Sequence, residues 1–303
     1  MYDWYSGIFY TLVCALLLGF AVLSISTIRK QLWPLTMPRW EGNMKLGSHS
    51  VPLAFLLILI LSYLMLLFLD EPTIASLAAE DGVIEWAGAL GFLATALLFL
   101  VKFWKDKPGN DLVLFKTKKN LFYLLFGMLF LFGFGEEISW GQRVLALETP
   151  QALQTINTQG EINIHNLRIF HGVNAEGERK SFVGLLLNAD RLFSLFWLTF
   201  YVLIPVLYAL SPMATRWLKR INLPVVSAWV SPFFVANYLL SVILGVYVRP
   251  TLSHEIVEAK EANFGLFLML STIYLFAAVD SAQHKTKTSR DLSIPAAPPQ
   301  LGV

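Results

Sequence analysis

Seven apolar runs constrain this chain more than any other feature: about Gly7–Thr27, Val51–Leu69, Gly82–Phe103, Asn120–Leu145, Leu192–Leu210, Val225–Val248 and Phe264–Val279. Each is close to the ~17–25 residues that an α-helix needs to cross a bilayer. In lipid such a segment satisfies its backbone polar groups internally only as a helix or within a closed barrel, and runs this long read as helices. Composition agrees, with 56% hydrophobic and 15% charged residues against roughly 25% charged in an ordinary soluble domain. The expected fold is all-α: a polytopic integral membrane helical bundle of about seven transmembrane helices. Residues 1–281 would form one transmembrane domain, and 282–303, which ends in Ile294-Pro-Ala-Ala-Pro-Pro-Gln, a disordered cytoplasmic tail.

Charge between the runs sets the orientation. Arg29, Lys30, Arg39 and Lys45 follow the first run; Lys102, Lys105, Lys107, Lys116, Lys118 and Lys119 follow the third. Arg216, Lys219 and Arg220 follow the fifth, and Lys285, Lys287 and Arg290 the seventh, so that sixteen of the 23 basic residues fall on one side. The positive-inside rule then places the N-terminus outside and the C-terminus in the cytoplasm. The basic residues after the first run, and none before it, argue for an uncleaved helix rather than a signal peptide. A plasma (inner) membrane location is expected. The lone Cys14 offers neither an internal disulfide nor a multi-cysteine metal site.

Most acidic residues, with His165, His171 and His254, fall on the opposite, extracytoplasmic side. Acidic residues contribute little to orientation, so this skew asks for another cause. Its centre is Phe134-Gly-Glu-Glu-Ile-Ser-Trp-Gly-Gln-Arg143, where an apolar run ends in two carboxylates, an indole, an amide and a guanidinium. Read as one continuous helix, Glu136, Trp140 and Arg143 share a face and Glu136 can pair with Arg143, leaving Glu137 to find a partner elsewhere. Adjacent carboxylates in a low dielectric separate in pKa, which suits a general acid or base. The bland alternative is a structural ion-pair node anchoring a helix end.

Other segments supply partners. Glu85 opens the third run at a similar depth; a helix-dipole role explains it less well than it explains Glu80 and Asp81. The long loop 146–191 is expected to begin with a helix capped by Thr149 with Pro150 at its first position, reaching about Thr158, and to turn at Gln159-Gly160. Ser181–Asp190 is apolar enough to lie on the membrane. In Gly160–Asn166, polar and apolar residues alternate, so an extended arm would present Glu161, Asn163 and His165 together; ordinary surface roles are the competing account, more so for His171. His254, Glu258 and Glu261 fall on one face of the entry to the last run, a spacing that suits metal ligands on a helix but also any polar helix extension. Ser227, Ser231, Asn237, Tyr238 and Ser241 punctuate the sixth run, as interhelical hydrogen bonds or as a polar path.

These residues suggest an integral membrane enzyme, a hydrolase or transferase working on a membrane lipid or lipid-linked small molecule at the extracytoplasmic face. Glu136, Glu137, Glu85 and His165 would be catalytic; Arg143, Trp140, Gln142, Asn166 and Arg249 would bind substrate. A divalent metal such as zinc would be held among Glu137, His165, His254, Glu258 and Glu161 and would activate water. An ion-coupled transporter and a non-catalytic scaffold or receptor are the alternatives. Motifs for nucleotide hydrolysis, nicotinamide binding or serine-esterase chemistry are absent, and a net charge of +2 gives no reason to expect nucleic acid as a partner.

Overall fold

The computed structural model describes residues 50–106, 119–170 and 188–292, with side chains described as far as residue 277. The first apolar run, His171, most of Ser181–Asp190 and residues 293–303 lie outside these. Among the described residues the protein is helical and contains no strand; Asn157 and Leu167 form one isolated antiparallel bridge. Four helices are long and apolar enough to cross a membrane: α1 (Ser50–Phe68), α3 (Val83–Lys105), α6 (Ala189–Leu210) and α8 (Ala228–Val248). Between them lie α2 (Glu71–Leu77), α4 (Leu121–Glu137), α5 (Gln151–Ile156) and α7 (Pro212–Arg220), and α9 (Ser253–Leu292) closes the chain. The boundary read at residue 281 thus falls inside α9.

Local chemistry explains the helix ends. Asn120 caps α4 by accepting the Phe122 amide at 3.0 Å, and Asn188 caps α6 by accepting the Arg191 amide at 3.1 Å. In α3, Glu85 in the first turn and Lys102 and Lys105 in the last complement the helix dipole. Pro205 sits just after a π-helical stretch, Leu198–Leu203, which absorbs the ladder disruption a proline introduces in mid-helix.

Small residues set the closest packing. A Cβ added to Gly88 of α3 would lie 2.8 Å from the Ala262 Cα of α9, and one on Gly91 would lie 2.4 Å from the Gly265 carbonyl carbon. Close backbone approach through glycine and alanine is the usual route to tight helix pairs in membranes. Further along the same pair Phe99 meets Phe276 edge-on at 5.1 Å, so α3 and α9 run in the same direction. On its other side α3 packs against α4 with Phe92 near Phe130 and Phe99 near Phe126, which makes those two antiparallel. One end of the bundle therefore gathers Glu85, the end of α4 and the start of α9.

A second clamp joins α1, α8 and α9. Tyr63 Oη donates to the Asn237 carbonyl at 2.6 Å, Asn237 Nδ2 donates to the Lys260 carbonyl at 2.9 Å, and Asn263 Nδ2 reaches Asn237 Oδ1 at 2.9 Å and Ser62 Oγ at 2.8 Å. Asn237 is fully buried. Asn237 of the sixth run thus acts as an interhelical clasp, while Ser241 Oγ donates to the Tyr238 carbonyl of its own helix at 2.7 Å. Outward faces carry exposed Leu53, Leu57, Leu61, Leu64 and Phe68 on α1, with similar residues elsewhere, as suits helices that face lipid.

Candidate functional site

The helix α4 does not continue to Leu145. It ends at Glu137, and Ser139, Trp140 and Gly141 follow with φ of 45°, 55° and 76°. Left-handed backbone costs about 1–2 kcal/mol for each non-glycine residue, so tertiary contacts must hold Ser139 and Trp140 there. Ser139 Oγ, buried, donates to Glu161 at 2.5 Å and accepts from Asn163 Nδ2 at 3.1 Å. The Trp140 indole lies across Gly135, where a Cβ would come within 2.9 Å of the ring, and its Nε1 donates to Glu136 at 2.6 Å. The Trp140–Glu136 contact at i, i+4 therefore survives, made by a turn instead of a helix face.

Residues 139–170 fold into an arm braced from within. Gln142 Nε2 donates to Thr149 Oγ1 and its Oε1 accepts the Ile162 amide, both at 2.6 Å. Thr149 Oγ1 in turn donates to the Gly160 carbonyl at 2.6 Å, so it is a loop brace; Pro150, not Thr149, stands at the cap of α5, which ends at Ile156. Gly160 takes the positive φ, 71°, at which the chain reverses. Beyond it Glu161, Asn163 and His165 all reach back towards the end of α4, the side-chain set the alternation had singled out.

Two carboxylate networks result. In the first, Arg143 is enclosed by acids: Glu161 at 2.6 Å, Glu85 at 2.7 Å, Asp81 at 2.9 Å and Glu80 at 3.5 Å. The expected Glu136–Arg143 pair does not form, because α3 and the arm deliver these four carboxylates to Arg143 while Glu136 turns to His165. Its guanidinium is thus engaged by the chain's own acids, and an anionic substrate would have to displace them. In the second network the buried Glu136 accepts the Ile164 and His165 amides at 2.7 Å each, the Trp140 indole, and His165 Nδ1 at 3.1 Å. Burial alone would lower the His165 pKa, but the hydrogen bond to Glu136 and the charges of Glu137, Glu136 and Glu261 outweigh it and raise it above the ordinary imidazole value.

Glu137, half-buried, makes no hydrogen bond among the described residues and faces Glu261, Glu258, Glu85 and His165. Burial, then the charges of Glu261 and Glu85, push the Glu258 carboxyl up to about 7 against the pull of Lys260 and His165. The fold therefore gathers Glu85, Glu136, Glu137, His165 and Glu258. It leaves His254, Arg249 and Asn166 out of this cluster. His254 is three-quarters exposed and meets Glu258 at 3.8 Å. Arg249 caps the end of α1, donating to the Leu66 and Leu69 carbonyls at 2.9 and 2.8 Å. Asn166 bonds Gln159 inside the arm. Among the described residues no group of three or more His, Cys, Asp or Glu side chains is arranged to hold a metal ion; Glu161 is already bonded to Ser139, Arg143 and Asn163.

Ser139, Asn163, Glu80 and Asp81 also take part, outside the catalytic, substrate-binding and metal roles expected from the sequence. Asp81, which the sequence presents as a helix-dipole acid, pairs with Arg143 instead, and its own φ is 60°. Compared with known protein families, curated proteins and solved structures, the chain matches none.

Proposed function

We propose that the protein is an integral membrane enzyme, a hydrolase or transferase that uses acid/base chemistry on a lipid or lipid-linked substrate at the extracytoplasmic face. The contact between Glu136 and His165 carries this reading. A buried carboxylate on Nδ1 fixes the imidazole's tautomer and orientation and leaves Nε2 to exchange a proton. In the proposed step Nε2 takes a proton from water or a substrate hydroxyl as that oxygen attacks, then returns it to the leaving group. Glu137, free of hydrogen-bond partners within the described chain and facing His165, is the second proton-exchanging group. The half-exposed Trp140 suits an amphipathic substrate at the interface.

The seven-span topology, N-terminus outside, belongs to the same proposal. It is supported by the alternating directions of the described helices and by acids collecting at one end of the bundle. Reporter fusions to the loops and both termini test it. A zinc ion joining these groups is tested by elemental analysis of the purified protein. The central experiment incubates purified protein in vesicles with extracted membrane lipids and lipid-linked sugars and follows their turnover by mass spectrometry. His165→Asn and Glu137→Gln should each lower the rate by about 10²-fold or more while leaving a folded protein; undiminished turnover in both would sink the reading.

A non-catalytic scaffold or receptor is favoured by one observation, the self-sufficient bracing of the arm around Arg143. An ion-coupled transporter finds less support, because Tyr63, Asn237 and Asn263, deep in the bundle, bond one another instead of lining a path.

A further inference from the structure

The opposite end of the bundle carries a feature that the proposed chemistry does not use. Helix α7, Pro212–Arg220, buries none of its side chains. Ala214, Thr215 and Leu218 form its half-buried side, while Met213 and Trp217 are 62% and 57% exposed, with Arg216 and Arg220 on the same outer face. The Arg220 guanidinium stands 5.8 Å over the Trp217 ring. An apolar strip of one methionine and one indole flanked by arginines is the pattern of a helix lying in a headgroup layer.

A nine-residue helix is too short to order itself in water, but the fold fixes this one at both ends. Ser211 Oγ accepts the Ala214 amide at 3.2 Å, and Thr215 Oγ1 donates to the Tyr208 carbonyl at 2.6 Å, setting the angle at which α7 leaves α6. After it, Asn222 adopts a φ of 53° and its carbonyl accepts Asn120 Nδ2 from the start of α4 at 2.8 Å. Around α7 the charge has one sign. Lys102, Lys105, Lys119, Arg216, Lys219 and Arg220 face one carboxylate, Asp106, among the described side chains at this end. Trp104, 73% exposed, lies under Lys119 Nζ at 5.7 Å and adds a second interfacial indole.

We infer that α7, with Trp104 and Lys119 beside it, is a binding surface for anionic phospholipid headgroups. The indoles and Met213 enter the acyl boundary and the basic groups sit at phosphate level, where each Lys or Arg adds electrostatic attraction that salt screens. The surface is independent of the acidic end, so the two readings stand or fall separately.

The test uses the full chain purified in an uncharged detergent and titrated with phosphatidylglycerol, phosphatidylcholine or inorganic phosphate, with retained lipid read by native mass spectrometry. Phosphatidylglycerol should be retained preferentially, and raising salt from about 0.15 to about 0.5 M should weaken it several-fold. The combined Arg216→Gln, Lys219→Gln, Arg220→Gln variant should lose affinity about tenfold or more. Equal retention of phosphatidylcholine, displacement by inorganic phosphate, or no change in the variant would overturn the inference. If the variant does not fold, salt-independent retention by the unaltered protein overturns it instead.

Discussion

Arg143 and His165 stand a few residues from the same helix end and have opposite situations. Arg143 is about one-fifth exposed and encircled by acids; His165 has one nitrogen fixed and a ring left partly open. Arg143→Ala should destabilise the protein by roughly 2–3 kcal/mol, less than a fully buried network because water reaches this one, measured as thermal unfolding in detergent. Arg143→Lys should recover only part, since an ammonium cannot span the separate carboxylates of α3 and the arm as the guanidinium fork does. Glu136→Gln should keep the Trp140 contact but lose the charge that raises the His165 pKa, and NMR titration of His165 should show that pKa falling. At this scale the sequence was legible in part. The charged residues at this helix end are visible in the sequence, but the partner it suggests for Arg143 is not the one the fold supplies. Glu136, on the same face of a continuous helix, is visible locally, whereas Glu80, Asp81, Glu85 and Glu161 reach Arg143 only through packing.

The helices hold that packing through glycine. Gly91→Val on α3 would drive methyls into the Gly265 backbone of α9, where neither side can yield, and should cost roughly 1–3 kcal/mol in unfolding experiments. Gly245→Ala is the contrast: its nearest foreign atoms lie at 3.9 Å, so the change should be neutral or mildly stabilising. Apolar runs were readable as helices because length and hydropathy act locally. The end of α4 was not. Nothing in Glu136–Gly141 forbids another helical turn; the reversal is imposed by Glu161 and Asn163, which arrive more than twenty residues later in the chain. The alternation of 161, 163 and 165 did foreshadow which side chains of the arm would meet the helix.

Across the described residues, acids collect at one end of the bundle, and that end should govern the response to pH. His165 and Glu258 both have folded pKa values above their ordinary ones. Each then holds its proton more tightly folded than unfolded, so stability is greatest on the acid side and falls as pH rises through the shifted values. The unfolding midpoint should drop between about pH 5 and about pH 8, and Glu258→Gln should flatten that slope; a midpoint rising with pH would contradict the assignment. That Glu85, Glu136, Glu137, Glu161 and Glu258 would meet at one end is legible from loop composition, because it depends on where the acids fall in the chain and not on how they pair.

The enclosure of Arg143 also bears on how the protein is made. Its partner on α3 lies 58 residues before it and its partner on the arm 18 residues after it. The cluster can therefore close only when α3 and α4 lie side by side and the arm has folded over them. A chain in which α4 is misplaced leaves the part-buried Glu85 without the Arg143 guanidinium that pairs with it at 2.7 Å. The same contacts that occupy the guanidinium thus require α3, the end of α4 and the arm to be threaded in one relative arrangement.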